Sequence, residues 1–260
     1  MNKRILISLT IIGAVAILAI GGTVAFFSDK EISSGNTFTA GSIDLKIDNE
    51  CYYNGEPIDD CTWELTDLDG HLFFDFEDLK PGDWGEDTVS LHVYDNDAWG
   101  CVAFCNVVSD DNSCTEPELE AEPACMPGYD GELAENLYFV FWADDGDNIY
   151  EPETEHIIMA GPASDVMPNR TYALADSENE NVFTGYIEPL KGNHDYYIGK
   201  IWCFGDLEWN EYTPSTEWYC NGEEVGNEAQ TDTLTGDIIF YVEQSRNNSG
   251  FVCPNLCSQE

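Results

Sequence analysis

Period-two alternation dominates this chain, and that period constrains the fold more than any other feature. Ile43, Leu45 and Ile47 alternate with Ser42, Asp44 and Lys46, and Val89, Leu91 and Val93 alternate with Ser90 and His92. Successive strand side chains point to opposite faces, so each stretch is a half-buried strand. Residues 137–142 form an unbroken apolar and aromatic run, as expected of a strand covered on both faces. Further strands are expected at 71–76, 101–108, 156–160, 182–188, 196–204 and 237–243. Turns such as Lys80-Pro81-Gly82-Asp83 and Glu188-Pro189 separate them. Only 132–136 and 172–177 are expected to make a helical turn or two. Many short strands without intervening helices predict an all-β sandwich. With no internal repeat and no clean linker, residues 26–260 are read as one domain with decorated loops.

The N-terminus reads as an export signal. Lys3 and Arg4 precede an apolar run over residues 5–20, and Gly21-Gly22 breaks it before Thr23-Val24-Ala25. Small side chains at Thr23 and Ala25 suit a signal peptidase, with cleavage between Ala25 and Phe26 and removal of residues 1–25. The apolar run is also near the lower limit for a membrane span, so an uncleaved anchor is the competing reading. The chain has 51 acidic and 9 basic residues, two of the latter in the leader, so the mature form carries a formal charge of −44. A field of that sign excludes nucleic acid as a partner and opposes self-association unless cations screen it. Apolar residues still make up 43% of the chain, far above a disordered acidic tail.

Ten cysteines follow the leader: Cys51, Cys61, Cys101, Cys105, Cys114, Cys125, Cys203, Cys220, Cys253 and Cys257. An even number in an exported chain predicts disulfides. Zinc is the competing reading, but no Cys-x-x-Cys pair occurs and no histidine cluster accompanies the cysteines. Spacing suggests Cys51–Cys61 and Cys203–Cys220 as local staples and leaves the remaining connectivity open. Residues 109–135 are acidic and proline-rich, and Cys114 and Cys125 fence their centre. They are expected to form a solvated loop held by a disulfide.

The junction Gly21-Gly22-Thr23-Val24-Ala25-Phe26-Phe27-Ser28-Asp29, followed by Asn36-Thr37-Phe38-Thr39-Ala40-Gly41-Ser42-Ile43-Asp44-Leu45, resembles the TasA/camelysin family. Residues 78–83, 138–148, 197–205 and 245–248 also look like family features. The resemblance implies processing by a SipW-type signal peptidase, a sandwich of jelly-roll type, and a subunit of extracellular or biofilm-matrix fibres. The camelysin branch implies instead a membrane-associated metallopeptidase.

Four chemistries then compete. The new N-terminal segment, 26–40, carries few charges to blunt its edge, so Phe26, Phe27, Thr37, Phe38, Thr39 and Ala40 are expected to contact another subunit by strand donation. The plainer alternative makes this the first strand of its own sandwich. The run Asp144-Asp145-Gly146-Asp147-Asn148-Ile149-Tyr150-Glu151-Pro152-Glu153 suits calcium. Asp145, Asp147 and Glu151 would be the principal ligands, Asp144 and Glu153 extras, and the Ile149 carbonyl a further donor. An acidic hairpin turn is the alternative. Peptidase chemistry lacks a His-Glu-x-x-His motif, since His71, His92, His156 and His194 are isolated. Seven tryptophans would equally serve a calcium-stabilised carbohydrate-binding module or a core. The expectation is a secreted or cell-surface fibre subunit, not an enzyme. Its partners are copies of itself, a signal peptidase and divalent cations.

Overall fold

The computed structural model describes residues 28–32, 43–128, 131–210 and 217–258. Two antiparallel sheets face each other. The larger runs β3 (Glu56–Pro57), β2 (Asp44–Tyr53), β5 (Trp84–Tyr94), β10 (His194–Phe204), β7 (Leu137–Asp144) and β8 (Ile157–Pro162), with β4 (Trp63–Thr66) also on β2. The smaller runs β1 (Ser28–Ile32), β13 (Thr233–Gln244), β6 (Ala98–Asp110) and β9 (Arg170–Ala175). A hairpin of β11 (Asp206–Asn210) and β12 (Glu217–Asn221) stands apart. Helix is confined to short turns: α1 (Glu116–Ala121), α2 (Leu133–Asn136), α3 (Ala163–Val166) and a 3-10 turn at Leu256–Ser258. The all-β sandwich expected from the period is present.

Alternation explains the core between the sheets. Leu45, Ile47, Val89, Leu91, Val93, Phe139 and Phe141 meet Val102, Phe104, Phe240 and Val242 there, with Phe104 and Phe141 edge-to-face at 5.5 Å. The unbroken run in β7 has a second cause. Val140 and Trp142 point away from that core and pack beneath Tyr150, Leu207 and Trp218. Gly199 lies opposite Trp142 in the ladder, and a Cβ there would sit 2.1 Å from the indole. Glycine is what lets β10 and β7 pair at that point.

One ion pair sits inside the larger sheet. Lys200 and Asp87 are direct cross-strand partners, both fully buried, with Nζ 2.7 Å from the carboxylate. Asn49 Nδ2 donates to the same carboxylate, and the ammonium lies 3.8 Å from the centre of the Phe74 ring. Burial alone pushes Asp87 up and Lys200 down towards their neutral forms, and each charge opposes that for the other. Losing either partner would cost about 3–5 kcal/mol.

All ten cysteines pair. Cys51–Cys61, Cys114–Cys125 and Cys203–Cys220 close short loops, the first and last as the spacing suggested. Cys101–Cys253 and Cys105–Cys257 form two bridges of equal span, each separating its partners by 152 residues. They lay the C-terminal segment across the outer face of β6. Cysteines four apart on a strand share a face, so this explains the matched spacings.

Several expected elements differ. Residues 71–76 are not a strand: Leu72 is 52% exposed, while Phe73 packs on Trp63 and Phe240, and Phe76 on Trp202. These rings plug the sandwich without pairing in a ladder. Residues 182–188 are turns, because the Asn181 side chain accepts from Phe183 N and Asn181 N donates to Tyr186 O. Residues 172–177 were expected to turn helically, yet Arg170–Ala175 is strand β9, since pairing with β6 overrides local propensity. The 109–135 insertion is not wholly solvated loop. Thr115 and Glu118 form a reciprocal capping box that starts α1, and Glu118 is buried.

Candidate functional site

Three features invite function. The first is the outer edge of β13. Strand β1 pairs with it from Ser28↔Glu243 to Ile32↔Ile239, while β6 pairs with β13 along its whole length. Among the described residues, Thr233–Ile238 therefore has a ladder partner on one side only. All six of these residues line a cavity of about 1030 Å³, together with Phe74, Phe104, Phe139 and Trp202. Of the segment expected to be lent, Ser28–Ile32 thus lies along its own chain. Phe26, Phe27, Thr37, Phe38, Thr39 and Ala40, and the junction at Ala25 and Phe26, fall outside the described residues.

The second feature is the acidic turn after β7. Ligand atoms of Asp144, Asp145 and Asp147 lie within 4.8 Å of one another, as do those of Asp145, Glu151 and Glu155. Ile149 and Glu153 are exposed, and Glu153 joins neither group. Glu155 was not singled out in the sequence. Backbone donors already hold most of these carboxylates. Asp144 accepts from Gly146 N, Asn148 N and Trp142 Nε1, and Glu155 accepts from Asp145 N and Glu151 N. Burial, reinforced by Asp144 and Glu151, pushes the Glu155 carboxyl up to about 7.

The third is a cluster that no local motif announces. Asp111 follows β6, Glu118 and Glu122 lie on and just after α1, Glu132 precedes α2, and Asp232 precedes β13. Ligand atoms of Asp111, Glu118 and Asp232 fall within 4.8 Å of each other, and Asp111 stands in the same relation to Glu122 and Cys125. Cys125 is tied in its disulfide, so its sulfur is no thiolate. Glu118 is 0% and Asp111 2% exposed. Burial pushes Glu132 up to about 7, with Glu122, Asp111 and Asp232 adding to the rise. Asp232 is pushed up to about 6 by burial and by Asp111.

The remaining candidates are dispersed. Among the described residues, no group of three metal-ligating side chains contains a histidine. His92 contacts Asp48 and Asp195, and His71 stacks on Trp63. The tryptophans mostly serve packing: Trp209 and Trp218 lie 4.9 Å apart, and both contact Tyr150.

Fold and bridges together define a disulfide-stapled, acid-rich antiparallel β-sandwich. The family model described as camelysin metallo-endopeptidase matches residues 2–93, reaching near the end of β5, about a third of the chain. Over that stretch the TasA/camelysin resemblance holds. No curated protein matches the chain. No helix among the described residues is long and apolar enough to cross a membrane.

Proposed function

We propose that the chain is an exported subunit that polymerises into extracellular fibres by lending the segment after its leader to the β13 edge of the next copy. The observation that carries this reading is the half-filled edge. β1 follows the cleavage junction closely and, among the described residues, pairs with β13 alone, and the half of β13 with a single ladder partner lines an apolar cavity of about 1030 Å³. In the β1 register, where Ile32 faces Ile239, residues 33–38 of an incoming strand would face 238–233 and seat beside that cavity. Backbone hydrogen bonds would supply affinity and alternate side chains specificity. Exchanging an identical element between copies costs little, because one contact replaces its equivalent, and a head-to-tail contact that does not close grows a filament. Cations at the surface carboxylates of Asp145, Asp147 and Glu151, and elsewhere, would damp the charge that opposes growth.

The test places one cysteine on each side of the contact, Lys30→Cys with Tyr241→Cys, which are direct cross-strand partners. Mature protein is then examined by negative-stain microscopy and on a non-reducing gel. Filaments with a covalent ladder of multimers are expected. Bridges confined within single chains, or filaments from protein lacking residues 26–40, overturn the reading. The description of the matched family names a metallo-endopeptidase. Casein hydrolysis by the same preparation, with and without a chelator, tests that alternative.

A further inference from the structure

We propose that Asp111, Glu118 and Asp232, with Glu122 and Glu132 adding negative charge beside them, form a binding site for a hard divalent cation of calcium type, closing the Cys114–Cys125 insertion onto the roots of β6 and β13. This site adjoins the strand-exchange edge, since Asp232 lines the same cavity as Thr233–Ile238, but it does not depend on that reading.

The argument begins with satisfied and unsatisfied oxygens. One oxygen of each of three carboxylates is anchored by a backbone N–H: Glu118 Oε2 by Thr115, Asp111 Oδ2 by Met126, and Asp232 Oδ2 by Leu133, at 2.9, 3.2 and 3.0 Å. Their other oxygens, Glu118 Oε1, Asp111 Oδ1 and Asp232 Oδ1, are buried with no hydrogen-bond partner among the described residues. So are Glu122 Oε2 and Glu132 Oε2. Five such atoms from one neighbourhood are far more than packing tolerates, because each bare buried carboxylate oxygen forfeits its hydration.

Protons and a cation are the two ways to neutralise such a group. A proton shared between Asp111 and Asp232 would leave Glu118 Oε1, Glu122 Oε2 and Glu132 Oε2 bare. A cation held by Asp111, Glu118 and Asp232 answers the three bare oxygens of those residues at once, and its charge offsets Glu122 and Glu132 nearby. Two oxygens each about 2.4 Å from one calcium ion lie at most about 4.8 Å apart, which is the spread of the Asp111, Glu118 and Asp232 group. The donors are carboxylate oxygens, and among the described residues no imidazole and no free thiolate joins them, which disfavours zinc and copper. Magnesium keeps several of its waters, whereas calcium accepts a cage built largely of protein oxygens. The anchoring bonds hold the carboxylates in place before any ion arrives, and the Cys114–Cys125 bridge limits how far the insertion can open.

The test uses chelator-treated full chain titrated with calcium, followed by calorimetry and thermal melting. The expected result is a rise in midpoint of about 5–10 °C at a hundredfold excess over Kd. Sodium at matched ionic strength should give a much smaller rise. Glu118→Gln with Asp232→Asn should abolish the response and, in chelator, melt no lower than the wild type. Both substitutions keep an acceptor for the anchoring N–H, so folding is preserved, and removing two charges relieves repulsion. Asp145→Asn with Asp147→Asn should retain most of the response. Four outcomes would each overturn the assignment: no calcium response in the wild type at millimolar concentration, an equal response to sodium, a response surviving Glu118→Gln with Asp232→Asn, or one lost in the Asp145 and Asp147 pair.

Discussion

The turn after β7 and the cluster around Asp111 hold the same chemistry in opposite states. In the turn, the carboxylates come from one contiguous stretch and close it on itself: Glu155 accepts from backbone donors and Asp144 from backbone donors and the Trp142 indole, while Asp145 and Asp147 face solvent. Around Asp111, side chains from distant parts of the chain are brought together by the fold, and the oxygens turned inward have no donor among the described residues. The difference teaches that density of acids in a sequence says little about where a cation is needed. The number of bare oxygens per buried carboxylate is the better guide.

The contrast can be broken at several points. Cutting the staple should have the largest effect: Cys114→Ser with Cys125→Ser frees the insertion and, by loss of preorganisation, should weaken calcium binding at least about tenfold, equivalent to ~1.4 kcal/mol, read by calorimetry. Unchanged affinity would mean the cage does not depend on the loop's closure. An effect of comparable size, on stability and not on calcium affinity, is expected from Glu155→Gln. Its amide has one oxygen where the carboxylate offered two, so one of the Asp145 and Glu151 N–H groups loses its acceptor. A loss of about 1–2 kcal/mol in urea unfolding should follow with or without calcium. If calcium erased that loss, the turn would be the stronger ion site. Smallest of all, Asp145→Asn with Asp147→Asn should change calcium-free stability by no more than about 0.5 kcal/mol, as expected for exposed side chains.

Much of the sandwich was legible because its signal is periodic and local. Strands β2, β5, β6, β7, β8, β10 and β13 stand where alternation or an apolar run placed them, and the short-range bridges followed from spacing. Misreadings fell where long-range contact overrules local preference. Phe73, Phe74 and Phe76 are strand-like residues whose rings fill a gap instead of joining a ladder, and β9 is strand only because β6 has an edge to cover. A local signal does mark the helix in the insertion: Thr115-Glu116-Pro117-Glu118 has the spacing of a helix start, with proline in the first turn. No local signal points to Asp232, which is 114 positions from Glu118 in the chain and is brought there by the return of β13.

The paired bridges from β6 to the C-terminal segment have a mechanical side. A pull on any strand seated against β13 passes through the β13–β6 ladder into a strand riveted at Cys101 and Cys105 to a strap on its far face. Peeling that strap would require breaking covalent links, while sliding the seated strand requires only shearing hydrogen bonds. Under tension, failure is therefore directed to the seated strand, and the body of the sandwich survives to be seated again.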